Sequence, residues 1–85
     1  GMDTLSNFQN LFKTAVISVD FAQNMVVLKT TNGMAQGVCA ALDSIEWDGI
    51  LGTIAGDDTI MLVLREGVAI SKIRQLLSLI IPNIE

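Results

Sequence analysis

"DGILGTIAGDDTIMLVL", residues 48–64, decides the fold. Two apolar, β-branched runs flank Gly56-Asp57-Asp58. Gly and Asp favour turns because they tolerate positive φ or hydrogen-bond their own backbone. The stretch therefore reads as two strands joined by a tight turn. The run after the turn, "TIMLVL", is almost continuously apolar, as in a strand buried on both faces. If helices cover one face of the sheet, a second subunit must cover the other.

Upstream, "NGMAQGVCAALDSI" (32–45) switches to helical period. Met34, Val38, Leu42 and Ile45 form a stripe that Ala35 and Cys39 widen. Thr31 or Asn32 is the expected N-cap. Before it, "KTAVISVDFA" alternates and predicts a strand over 14–21. "AQN" makes a three-residue turn, and "MVVLKTT" predicts a second strand over 25–31, completing a hairpin. Downstream, "EGVAISKIRQLLSLIIP" is an amphipathic helix with Ile70, Ile73, Leu77 and Ile80 on its stripe and Pro82 as its stop. The order ββαββα predicts an α+β two-layer sandwich: a four-stranded antiparallel sheet with two helices on one face. Residues 1–10 read as a tag scar (Gly1) and a linker remnant, and 11–85 as the domain. Phe8, Leu11 and Phe12 are compatible with one turn of helix or with a frayed linker end.

The 85 residues allow one domain. With five cationic and nine anionic side chains the net charge is −4, and no basic run exists to grip a phosphate backbone. Hydrophobic residues make up 51% and mean hydropathy is +0.54, high for a small soluble monomer. No apolar run approaches the ~20 residues of a spanning helix, and no signal-peptide pattern is present. Association with further copies of the chain is the expected way to cover the apolar surface. Histidine is absent and Cys39 is the only cysteine, so neither a disulfide, a zinc site nor a base-assisted hydrolase is expected. Cys39 reads as a buried, inert thiol.

The acidic pair Asp57-Asp58 has no Lys or Arg within six residues on either side. Residue chemistry leaves three roles open. The pair is simply a hairpin turn, or it holds a divalent metal with Asp43 and Glu46, or it binds an organic cation. A guanidinium presents a planar fork of donors that suits carboxylates. Gln36 and Asp43, seven residues apart on one helix face, would add polar contacts. Ala35, Ala40 or Ala55 would meet the ligand's alkyl part.

"GILGTIAGDDTIMLVLR", preceded by "NGMAQGVCAALDSIEWD" and by the hairpin "LFKTAVISVDFAQNMVVLKT", resembles the C-terminal domain of bacterial arginine repressors over Leu11 to Leu79. The resemblance implies the two-layer sandwich, assembly into trimers and hexamers (dimers of trimers), and L-arginine bound between subunits. It implies that Asp57 and Asp58 hold ligand nitrogens, that Asp43 is the acidic residue of the "ALD" segment, and that Gln36, with Ala35 beside it, fills the polar position of the helix start. Thr53 and Ala55 match strand positions lining the pocket. Nothing carries over for Glu46–Gly49, where the family varies in length. The family's winged helix-turn-helix domain does not occur in these residues.

The expected function is thus an effector-binding and oligomerisation domain of a bacterial, cytoplasmic arginine-responsive repressor, not an enzyme. L-arginine would be the corepressor, with no cofactor and no metal. Operator DNA would be contacted only through the domain missing here, and no membrane contact is expected. A structural assembly domain that has lost its ligand response is the alternative.

Overall fold

The computed structural model describes residues 2–45 and 48–81, with side chains from Phe8 onward. Gly1, Glu46 and Pro82, and the roles expected of them, lie outside the described residues. Seven elements follow in order: α1 (Met2–Ala15), β1 (Val16–Ala22), β2 (Met25–Thr30), α2 (Ala35–Ser44), β3 (Ile50–Ala55), β4 (Thr59–Leu64) and α3 (Ile70–Ile80). The four strands form one antiparallel sheet in the order β1-β2-β4-β3.

The alternation of burial shows how the layers are made. Val26 and Leu28 of β2 and Ile60, Leu62 and Leu64 of β4 are buried on one face. They meet Phe12 and Ala15 of α1, Val38 and Leu42 of α2, and Ile73 and Leu77 of α3 in one core. Each large side chain buried this way contributes about 1.5–3 kcal/mol. The helical stripes read from the sequence therefore do face the sheet.

Four local expectations need correction. Two helices were expected, and the described residues hold three: α1 is fourteen residues long, not a single turn. Phe12 is its anchor, fully buried and with its ring centroid 6.2 Å from that of Phe8. The Gln9 amide donates to the Leu79 carbonyl at 3.1 Å, tying α1 to α3. Because α1 runs to Ala15, the first strand starts at Val16 rather than at residue 14. The hairpin turn has two residues, since Ala22 pairs with Met25. Gln23 takes a positive φ of 53°, a conformation that two-residue hairpins favour because it suits the twist of the strands. Finally, neither Thr31 nor Asn32 caps α2. Met34 occupies the N-cap position without a side-chain bond. The first helical N–H, of Ala35, instead donates to the Asp57 carbonyl at 3.1 Å.

Among the described residues, no helix lies over the outer sheet face. Strand β4 is buried on one face only: Met61 is 37% exposed between buried Ile60 and Leu62. The ladder aligns Val27, Met61 and Ile54 across neighbouring strands on that face. Ile54 is 70% exposed, and Leu51 and Ile17, at the irregularities of the two edge strands, are 60% and 67% exposed. The apolar second face anticipated from "TIMLVL" thus exists, uncovered among the described residues.

Candidate functional site

The turn Gly56-Asp57-Asp58 closes the β3–β4 hairpin, with the Gly56 N–H donating to the Thr59 carbonyl at 2.9 Å. Its main chain also binds two other elements. The Asp57 carbonyl accepts from Ala35 at the start of α2, and the Asp58 carbonyl accepts from the Thr30 N–H at the end of β2 at 2.7 Å. The turn is therefore a joint between hairpin, helix and sheet. That accounts for the turn chemistry but uses neither carboxylate.

The two carboxylates differ. Asp57 is exposed, and among the described residues its side chain takes part in no hydrogen bond. Asp58 Oδ1 accepts from the Thr59 hydroxyl at 2.9 Å, and Thr59 Oγ1 accepts from Lys29 Nζ at 2.9 Å. The cation that the local sequence does not supply comes from β2, one hydroxyl removed. Lys29 and Thr59 are ladder partners, which sequence spacing does not reveal, so neither was singled out beforehand.

Helix α2 lies along edge strand β3 and carries two polar links to it. Near its start, the Gln36 amide donates to the Ala55 carbonyl at 2.8 Å. Near its end, the Thr53 hydroxyl donates to Asp43 Oδ1 at 2.8 Å. Seven residues of helix rise separate the links by about 10 Å. Gln36 and Asp43 do share a helix face, as their spacing predicts, but each is already engaged by its own strand. Cys39 lies between them. It is buried as expected, yet its surroundings are polar: Sγ is 3.3 Å from Thr53 Oγ1 and 4.0 Å from Asp43 Oδ2. Ala35 has its methyl fully buried in the core, so only its main chain meets the turn.

An open cleft beside this edge is lined by Asp43, Asp48 and Thr53 with Ile45, Ile50 and Leu51. Asp48 was not anticipated; its place beside Asp43 depends on the course of the chain from α2 to β3. Among the described residues no three Cys, His, Asp or Glu side chains gather as a metal site. The expected residues thus form two groups within one chain: Ala35, Gln36, Ala55, Asp57 and Asp58 at one end of α2, and Asp43 with Thr53 at the other.

Residues 12–78 match the family described as "Arginine repressor, C-terminal domain". The curated arginine repressor of Bacteroides thetaiotaomicron is 64% identical over 69 residues, 81% of this chain and 44% of that protein. That of Bacteroides fragilis is 54% identical over 74 residues, 87% of this chain and 47% of that protein. The arginine repressor of Carboxydothermus hydrogenoformans is 44% identical over 70 residues, 82% of this chain and 47% of that protein. The chain spans less than half the length of these relatives. A match over most of its length, on the sandwich and the acidic turn just described, places the chain in the family of arginine repressor C-terminal domains.

Proposed function

We propose that this chain is the effector-binding and oligomerisation domain of an arginine-responsive transcriptional repressor, regulatory rather than catalytic. The observation that carries the reading is the acidic turn in a chain of this family: the carbonyls of Asp57 and Asp58 serve as a joint, while among the described residues the Asp57 carboxylate has no hydrogen-bond partner and Asp58 keeps one oxygen open. Such a pair suits a guanidinium fork. The ligand would be L-arginine acting as corepressor. Asp57 and Asp58 would hold its cationic nitrogens, and Gln36, Asp43, Ala35, Thr53 and Ala55 would line the remainder. Within one chain these residues fall into two groups, which supports a ligand seated between subunits. The uncovered row of Val27, Met61 and Ile54 supports burial of the outer sheet face against further copies, as trimers that stack into a hexamer. A ligand touching two subunits stabilises the assembled state over the dissociated one. In a longer protein this would fix the spacing of linked DNA-reading domains on operator half-sites.

Two measurements test the reading. Arginine should raise the melting temperature of the chain by mass action, and citrulline, which lacks the charge, should raise it less. Asp58→Ala should abolish the calorimetric signal of arginine while leaving the circular dichroism spectrum unchanged. Wild-type affinity in that variant would remove the acidic turn from the site. A second reading, an assembly domain without ligand response, draws on the partners that Gln36, Asp43 and Asp58 already have within the chain. A melting temperature indifferent to arginine would favour it.

A further inference from the structure

The two carboxylates of the acidic turn are held differently: Asp58 has the Thr59 hydroxyl, and that hydroxyl is itself contacted by Lys29. Lys29 and Thr59 face each other in the β2–β4 ladder, so their side chains stand on the same face of the sheet. Their contact, Nζ to Oγ1 at 2.9 Å, is set by strand register rather than by the chance reach of a long side chain. An ammonium donates and cannot accept, whereas a hydroxyl has one proton and two acceptor positions. Once Lys29 donates to Thr59 Oγ1, the Thr59 proton must point away from it. Asp58 Oδ1, at 2.9 Å, receives that proton. The next residue of the same strand, Thr30, holds the Asp58 carbonyl through its N–H at 2.7 Å. Asp58 is therefore held twice, its carbonyl by the main chain of β2 and its carboxylate by the Thr59 hydroxyl that Lys29 of β2 contacts. Asp57, one residue earlier, is left to rotate.

We propose that Lys29 and Thr59 are positioning residues for Asp58: the lysine orients the threonine hydroxyl, and the hydroxyl fixes the carboxylate so that Oδ2 is offered to the ligand. The proposal rests on the reading of the turn as a cation site and deepens it to specificity. A carboxylate with a fixed plane can meet a guanidinium fork in register, whereas a freely turning one serves any point charge about equally. The relay thus favours a planar guanidinium over an ammonium. Lys29 also carries a positive charge close to the acidic pair, which weakens every cationic ligand alike. Its removal therefore acts on overall affinity and on preference in separable ways.

The test has two arms on this 85-residue chain. In the absence of ligand, three-bond couplings about the Asp58 Cα–Cβ bond should report a single rotamer. They should become averaged in Lys29→Met and in Thr59→Val, and stay unaveraged in Lys29→Arg, which keeps a donor without acceptors. Asp57 couplings should be averaged throughout. In the second arm, calorimetry with L-arginine and with L-lysine gives the preference between them. Lys29→Met and Thr59→Val should each lower that preference by about tenfold, on the scale of one charge-assisted hydrogen bond, and Lys29→Arg should preserve it. An averaged Asp58 rotamer in the wild type, or an unchanged preference in both Lys29→Met and Thr59→Val, would overturn the proposal. Absence of any arginine binding would overturn the cation-site reading instead, and the couplings would still decide whether the relay holds Asp58.

Discussion

Ile54→Lys tests whether the outer face of the sheet is where copies of the chain meet. Ile54 lies on edge strand β3 in the row with Met61 and Val27, and 70% of it is exposed. Full burial of an isoleucine contributes about 1.5–3 kcal/mol, so covering the exposed part against a second copy contributes about 1–2 kcal/mol. A lysine loses that term. Its ammonium must also stay hydrated or be desolvated unpaired, adding about 1–3 kcal/mol. Together these weaken association by roughly 3 kcal/mol per copy, about a hundredfold in the association constant. The isolated subunit should hardly notice, because exposed positions away from special features shift stability by only about 0.5 kcal/mol. Sedimentation velocity over a range of concentrations is the assay, with circular dichroism as the control on folding. The expected outcome is a folded variant that sediments as a smaller species than the wild type at equal concentration. An unchanged sedimentation profile at micromolar concentration and below would refute the assignment of this face as the interface.

The remaining predictions concern the frame that carries the site. Gly49→Ala should destabilise the fold by about 1–3 kcal/mol in urea unfolding. There φ is +100°, and an added Cβ meets the Val68 methyls at 3.2 and 3.3 Å. Gly33→Ala, at φ +79° with nothing within 4 Å, isolates the backbone part and should cost about 1 kcal/mol. Phe12→Ala should cost about 3–5 kcal/mol, as for a large core residue. A loss below 1 kcal/mol would mean that α1 is not part of the cooperative unit.

What the sequence discloses here, and what it withholds, follows from the range over which each signal acts. The strands at 50–55 and 59–64, the turn between them and the stripes of α2 and α3 are legible because period and turn chemistry are local. The double apolar character of "TIMLVL" even announced an outer face that the described residues do not cover. Helix α1 was obscured because its evidence is only Phe8, Leu11 and Phe12, and what makes it a helix is the docking of Phe12 into a core built by elements far along the chain. The N-cap failed for a related reason. Thr31 and Asn32 are good caps by type, but the Ala35 N–H finds a carbonyl from a turn more than twenty residues away. Asp57, Asp58, Gln36 and Asp43 could be singled out by residue type. Lys29, Thr59 and Asp48 could not, because each depends on strand register or on the path of a connection.

On the proposed reading, the acidic turn serves structure and chemistry through different groups. Its structural work is done by the main chain: the carbonyls of Asp57 and Asp58 hold α2 and β2, and the Gly56 N–H closes the hairpin. Any residue that tolerates the turn supplies those groups. The carboxylates are therefore available for a ligand, at the cost of placing like charges side by side. Lys29 stands one hydroxyl away from Asp58, its ammonium on Thr59 Oγ1 and the Thr59 hydroxyl on Asp58 Oδ1. A directly paired lysine would have quenched Asp58 and competed with a cationic ligand for both of its oxygens. A cation held one hydroxyl away lowers the local charge and leaves an oxygen free. By this logic a side-chain change at Asp57 or Asp58 should alter the proposed ligand response and spare the fold, whereas a change that displaces the Asp57 carbonyl should loosen the start of α2 and carry Gln36 with it.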